Sequence, residues 1–319
     1  MKKILVIGAG AWGTALADLM AKNGNEVFLS ANKQEIIDEI SHQSSNQRFL
    51  PGVKLSPKVF ALRDFATDVE FVFIVTPSSD SIRVFEEIAK TKFAKNTIFV
   101  ICSKGLDPKE NLLLSDSFEK ITKNKKYAVL SGPNFAAEVA NEVPSITTIA
   151  AKNKKLADSV IKLLSNNHFQ ASYFKDPRTA EICGVIKNVI AIGCGMVDGL
   201  DLGVNAKSAL VMKGIYEIQL LCKKLKASTD VVNAAGFGDI FLTCSSSKSR
   251  NNSLGVLLAR GLEMEEGKTY EGITSAKNAV ALAKKLKVKL DLCEGINQIL
   301  NHKSSPEEIK KIISKAILS

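Results

Sequence analysis

A chain of 319 residues, 45% hydrophobic and 24% charged, has an ordinary globular composition and enough length for two domains. No uninterrupted apolar run reaches the ~18 residues of a membrane span, so no membrane insertion is expected. Its 43 basic and 33 acidic residues leave a net charge of +10, scattered rather than blocked, which favours anionic partners. No helix-turn-helix, KH or zinc-finger pattern accompanies that charge, so a phosphorylated small molecule is the expected partner rather than nucleic acid. The six cysteines (Cys102, Cys183, Cys194, Cys222, Cys244 and Cys293) form no CxxC pair and sit mostly in apolar runs. They read as reduced thiols of a cytoplasmic protein. No pair involving His42, His168 or His302 has metal-ligand spacing, and no metal is expected.

The opening MKKILVIGAGAWGTALADLMAKNG admits two readings. Its lysines, apolar core, Ala15 and Ala17 have the outline of an export signal. Gly8, Gly10 and Gly13, however, form G-x-G-x-x-G directly after the strand-like ILVI. The first glycine allows a tight turn, the second a close approach of backbone to a pyrophosphate, and the third close packing of helix on strand. A helix beginning near Trp12 offers free N–H groups to phosphate; Asn23-Gly24 ends it and EVFLS follows as a second strand. This order makes a dinucleotide site the better reading.

A carboxylate that holds the adenosine ribose is expected ~20 residues after the glycines. That place reads Ser30-Ala31-Asn32-Lys33, and Glu35 lies in the next helix pattern. Asn32 and Lys33 tolerate or attract a 2′-phosphate, so the cofactor is NADP or NAD with a lean towards NADP. A solvated Lys33 is the alternative.

Further strands are predicted at FVFIVT, TIFVICS, YAVLSG, TTIAA and ASYFK, with helices at SIRVFEEIAK and KENLLLSDSFEK between some of them. The alternation predicts an α/β, Rossmann-type, doubly wound and mainly parallel sheet over residues 1–180. From Glu181 onward the pattern is mostly helical, which predicts an all-α C-terminal domain over residues 181–319. Ser305, Pro306 and Glu308 there spell a capping box.

Three places could carry chemistry. Lys104 follows a strand end and could meet a substrate oxygen or simply be solvated. In GVIKNVIAIGCGMVDGL, Ile182, Val185, Ile186, Val189 and Ile190 form one apolar stripe, and Lys187 emerges among Cys183, Gly184, Ala191 and Cys194. A poorly hydrated lysine is a candidate acid–base; a snorkelling surface lysine is the alternative. In GFGDIFLTCSSSKSRNN, Asp239 follows a glycine turn and Arg250-Asn251 could form a phosphate fork or a solvated loop.

Taken in order, GAGAWGTALA, SKGL (103–106), SGPNFAAE (131–138), IKNVIAIGCGMVDGL (186–200), GDIFLTC (238–244), SRN (249–251) and YEGITSAK (270–277) resemble the NAD(P)-dependent glycerol-3-phosphate dehydrogenases of bacterial type. The resemblance spans nearly the whole chain. It implies reversible reduction of dihydroxyacetone phosphate to sn-glycerol 3-phosphate, a homodimer, and supply of a phospholipid backbone. It makes Lys187 the proton donor and acceptor at the C2 oxygen, with Asp239 orienting Lys187 or a substrate hydroxyl. Lys104 is placed at substrate and cofactor, and Ser131, Gly132 and Asn134 at the substrate. Ser249, Arg250 and Asn251 clamp the phosphate, and Asn188 and Thr243 support them. The cofactor contacts it implies are Gly8, Gly10, Ala11, Trp12, Gly13, Asn32, Lys33, Ala136, Arg250 and Glu271. Departures from the family pattern bear on the cofactor: Ala11 replaces a frequent serine, Ser79 after Pro77-Ser78 is smaller than usual, and Asn32 replaces a basic residue or histidine. Two rivals remain open at this point: a two-domain β-hydroxy-acid dehydrogenase acting on a phosphate-free substrate, and a nicotinamide-sensing regulator.

Overall fold

The computed structural model describes residues 1–265, 267, 269–302 and 304–319. The chain divides into two units, residues 1–107 with 113–177, and residues 108–112 with 178–319.

Unit 1 runs β1 (Lys3–Ile7), α1 (Ala11–Lys22), β2 (Glu26–Ser30), α2 (Gln34–Gln43), β3 (Val59–Leu62), β4 (Phe71–Ile74), α3 (Ser78–Lys90), β5 (Ile98–Ile101), α4 (Leu114–Thr122), β6 (Tyr127–Ser131), α5 (Ala136–Ala140), β7 (Ser145–Ala150), α6 (Lys154–Leu164) and β8 (Phe169–Phe174). The eight strands form one sheet in the order β3-β2-β1-β4-β5-β6-β7-β8. All neighbouring pairs are parallel except β6 with β7. ILVI, FVFI and IFVI are continuous apolar runs because helices cover both faces of such a sheet. The chain leaves β1 in one direction through β2 and β3, then returns to its other side as β4. The carboxyl ends of β1 and β4 are therefore the switch point where an open α/β sheet binds ligand.

Two departures from the sequence reading follow from short elements. β3 (VFAL) was not expected; it is a four-residue edge strand whose Phe60 is 46% exposed, too short to show a period. KENLLLSDSFEK is helical only from Leu114, because Leu106 and Leu113 form an isolated β-bridge that pins the preceding loop.

Unit 2 is helical: most of α7 (Pro177–Gly199), then α8 (Gly203–Lys224), a π-type turn at Ala234–Gly238, α9 (Asp239–Ser245), α10 (Arg250–Ala259), α11 (Glu271–Leu286), α12 (Asp291–Asn301) and α13 (Pro306–Leu318). Ser305 and Glu308 make the capping box of α13. The unit boundary falls at Pro177/Arg178.

Every residue of α7 from Thr179 to Val197 is buried. Long and apolar enough to cross a membrane, the helix is instead the core of this unit. It is surrounded because its glycines let neighbours close in. A Cβ on Gly195 would stand 2.0 Å from the Asn252 carbonyl oxygen, and one on Gly255 of α10 would stand 2.0 Å from the Ile192 oxygen. The small residues around Lys187 are therefore packed against helices rather than open to solvent.

Glu217 of α8 is also buried and accepts hydrogen bonds from the N–H groups of Leu292 (2.6 Å) and Cys293 (3.1 Å), capping α12 from inside the core. Burial pushes its carboxyl up from the ordinary value, against the opposing pull of those donors. All six cysteines are free and buried.

Replacing Gly195 with Ala drives a methyl group into main chain that cannot rotate away. We expect a loss of ~1–3 kcal/mol in urea unfolding. An unchanged midpoint would show that α7 and α10 separate freely.

Candidate functional site

In unit 1 the site begins with the glycine loop. Gly8 has φ +112°, and a Cβ there would meet the Val75 oxygen at 2.8 Å. A Cβ on Gly13 would meet the Gly8 oxygen at 1.9 Å, so α1 docks on the loop only without a side chain. Gly10 differs: nothing lies within 4 Å of the position its Cβ would take. Its bareness leaves a cradle beside the first turn of α1, whose N-terminus has no side-chain cap. The buried Thr76 Oγ1, on the β4 side, has no protein partner.

These groups border a cavity of about 430 Å³ lined by Gly8, Gly10, Asn32, Lys33, Arg63 and Thr76, among others. A pyrophosphate fits its open N–H groups, its bare glycine and its orphaned hydroxyl. Ala11 and Trp12 form the first turn of α1. Asn32 and Lys33 are exposed on the cavity rim, and Lys33 stands 3.7 Å from the Glu35 carboxylate.

The other strand ends of unit 1 carry the remaining predicted residues. Lys104 is half-buried after β5. At the end of β6, Ser131 Oγ and Asn134 Oδ1 are buried without a partner, while the Asn134 amide donates to the Ile146 carbonyl at 2.9 Å. Gly132 admits β7, since a Cβ there would stand 2.7 Å from Thr147 Oγ1. Ala136 starts α5.

In unit 2, Lys187 is the centre. Its residue is 8% exposed, so it is no snorkelling surface lysine. Its Nζ donates to Asp239 Oδ1 at 2.7 Å and to Thr243 Oγ1 at 3.0 Å. Thr243 in turn donates to the Asp239 main-chain oxygen at 2.6 Å. An ammonium removed from water needs such oxygens, and the glycine-rich π-type turn delivers Asp239 to the first position of α9.

A second chain of contacts fixes the flank of Lys187. Asn251 donates to Asn188 Oδ1 and accepts from the Gly272 N–H, both at 3.0 Å, bracing α7, α10 and α11. Ser249 is the cap of α10, its hydroxyl oxygen accepting from the Asn252 N–H at 3.3 Å. Arg250, the first residue of α10, is exposed and makes no hydrogen bond or ion pair among the described residues. Glu271 is exposed at the start of α11.

Sequence reasoning missed Arg63, Phe49 and Phe65 on the cavity wall, and Asn46, which bonds to the glycine loop. Asn46 is wholly buried, and its amide donates to the Ala9 carbonyl (3.0 Å) and to Thr14 Oγ1 (2.8 Å), tying the glycine loop to α1. Only the short run KVFALR could have flagged Arg63, by marking it as a residue at a strand end.

A switch-point cavity with a bare glycine loop, on a unit followed by helices around a buried lysine, defines a two-unit nucleotide-dependent dehydrogenase. Family models agree. Residues 3–157 match the N-terminus, and 176–311 the C-terminus, of NAD-dependent glycerol-3-phosphate dehydrogenase. The chain belongs to this family. It is 36% identical over 307 residues to a glycerol-3-phosphate dehydrogenase (NAD(P)+) of Parvibaculum lavamentivorans, covering 94% of this chain and 92% of that one. The namesake of Bacillus subtilis is 35% identical over 312 residues, covering 94% and 90%. The crystal structure of glycerol-3-phosphate dehydrogenase from Coxiella burnetii matches with a TM-score of 0.92 at 30% identity, covering 100% of this chain and 99% of that one. D-mandelate dehydrogenase, at 14% identity and a TM-score of 0.66, shares the fold.

Removing the carboxylate by Asp239→Ala strands the Lys187 ammonium in the core, and we expect a loss of ~3–5 kcal/mol in unfolding measurements. Adding Lys187→Met should recover most of that loss. Absence of recovery would mean that Asp239 stabilises the unit through something other than Lys187.

Proposed function

We propose that this chain reversibly reduces dihydroxyacetone phosphate to sn-glycerol 3-phosphate with a reduced nicotinamide dinucleotide. The observation that carries the reading is Lys187, buried and held by Asp239 and Thr243, in a member of this family. Reducing a ketone builds negative charge on its oxygen, and a fixed ammonium donor stabilises that charge and delivers the proton. The nicotinamide, when bound, supplies the hydride.

Arg250 has its donors unused at the N-terminal turn of α10, where an anion is favoured, so it is assigned to the substrate phosphate. Ser249 and Asn251 hold that turn in shape, and Asn188 braces it through Asn251. The glycine loop, Ala11, Trp12, Asn32, Lys33, Ala136, Arg250 and Glu271 are assigned to the dinucleotide on the family motifs that carry them. Lys104, Ser131, Gly132 and Asn134 are assigned to substrate contacts, and Lys104 to the cofactor as well. The orphaned Ser131 and Asn134 oxygens support this, since a buried polar atom without a partner is costly unless a ligand supplies one. Phosphate recognition separates the reading from a dehydrogenase of phosphate-free acids, which has no use for Arg250.

The reading extends to a cytoplasmic homodimer that supplies the glycerophospholipid backbone. Six free buried thiols suit a reducing compartment. Val204, Met212 and Tyr216 lie exposed along one face of α8, a surface suited to a second copy.

Loss of reduced-nicotinamide absorbance on adding dihydroxyacetone phosphate tests the reaction. Lys187→Ala should lower turnover by roughly 10²–10⁴-fold while dinucleotide binding persists. Retention of a tenth of the wild-type rate would remove Lys187 from its role. Arg250→Ala should raise KM for dihydroxyacetone phosphate roughly ten- to a hundredfold, from loss of charged hydrogen bonds worth ~1.5–3 kcal/mol. An unchanged KM would move the phosphate site elsewhere, and equal turnover of phosphate-free analogues would favour the rival.

A further inference from the structure

In this class of fold the adenosine ribose reaches the carboxyl end of the second strand, where a carboxylate holds its hydroxyls when the cofactor is NAD. No carboxylate follows β2 directly here. The nearest in sequence, Glu35, is already engaged by Arg48 at 3.0 Å and Lys33 at 3.7 Å. Beside Asn32 and Lys33, the rim carries a residue supplied by β3. The parallel register sets Leu62 opposite Ser30, and the Ser30 hydroxyl donates to the Arg63 carbonyl at 3.1 Å. That pairing delivers the Arg63 side chain to the end of β2.

The guanidinium is steadied there by the Asn32 carbonyl (3.3 Å) and the Gln34 amide oxygen (3.2 Å). Five N–H groups are available on an arginine, so these two bonds orient the fork without using it up. α2 begins at the same place. Lys33 is its cap residue and makes no side-chain cap bond, which leaves main-chain N–H groups of the first turn open to an anion. Arg63, Lys33 and Gly10 line one cavity, so a dinucleotide seated on the glycine loop extends towards the guanidinium. Asp64 lines that cavity too, and it forms no ion pair with these cations among the described residues. A ribose 2′-hydroxyl could accept from these donors but brings no charge for the cations to neutralise, whereas a 2′-phosphate would meet a fork, an ammonium and a helix start.

We propose that Arg63, backed by Lys33 and the first turn of α2, is the residue that selects a 2′-phosphate on the adenosine ribose, so that the enzyme prefers NADPH to NADH. The proposal rests on the dinucleotide reading above. Arg63 is the main determinant, because Lys33 is shared with Glu35.

The test uses fragments without a nicotinamide, so that turnover plays no part. Trp12 is the only tryptophan and stands in the first turn of α1 beside the glycine loop, so its fluorescence reports binding. Titrations with 2′,5′-ADP and 5′-AMP should show the wild-type chain preferring 2′,5′-ADP by about tenfold or more. Arg63→Gln should bring that preference to within about threefold by weakening 2′,5′-ADP alone, Arg63→Lys should keep part of it, and Lys33→Ala should lose less than Arg63→Gln. Circular dichroism would establish that each variant is folded. Equal affinity of the wild-type chain for the two nucleotides would overturn the proposal and leave the dinucleotide reading standing. Equal weakening of both by Arg63→Gln would also overturn it, by showing that the arginine only scaffolds the Asn32 loop. Failure of the folded wild-type chain to bind either nucleotide would overturn both readings.

Discussion

An ammonium group buried in protein must be met by oxygen, and much of unit 2 is arranged around meeting that demand at Lys187. The lysine stands on a helix buried on every side from Thr179 to Val197. A helix so enclosed can carry a charge only if a neighbour brings a carboxylate to it. Asp239 does so at 2.7 Å, and Thr243, one turn further along α9, adds a second oxygen. The glycine-rich turn before Asp239 and the close fit of Gly195 and Gly255 between α7 and α10 serve the same enclosure. A group so fixed needs little reorganisation as charge develops on a substrate oxygen, which is the condition under which an electrostatic contact lowers a barrier most.

Unit 1 meets a different demand. Phosphate needs many donors and tolerates no crowding, so this site is built from main chain. Gly8 and Gly13 are bare because protein crowds them, and Gly10 is bare although nothing in the protein does. Asn46 holds the loop in shape through the Ala9 carbonyl and Thr14. The two units thus handle charge in opposite ways: one encloses a single cation, and the other leaves a row of partial charges open.

Much of this was legible in the sequence. The glycine spacing, the apolar strands and the stripe around Lys187 follow from the absence of side chains at set positions, from unbroken apolar runs of strand length and from a period of 3.6. The family motifs marked Asp239, Arg250 and the strand ends. Three features were illegible for physical reasons. β3 is an edge strand of four residues, too short for a pattern, and with it went Arg63. Helix α7 looked one-sided, because the sequence shows one apolar stripe and does not say which helices close on the glycines of the other side, where α10 meets Gly195 and α8 and α12 meet Gly193. Asn46 had no signal, since a polar residue that braces main chain looks the same in sequence as one in a solvated loop.

The cysteines carry a consequence of their own. Burial raises the thiols of Cys102, Cys183 and Cys293, and a hydrogen bond with Cys194 together with burial raises that of Cys244. Alkylating reagents attack thiolate, so the closed protein offers them almost nothing. Each modification event therefore records an opening of the surrounding structure. Cys102 lies in unit 1, and the other five lie in unit 2. The chain thus holds a natural set of stopwatches: the rate at which Cys102 is capped times the breathing of the nucleotide unit, and the rates at the other five time the loosening of the helical one.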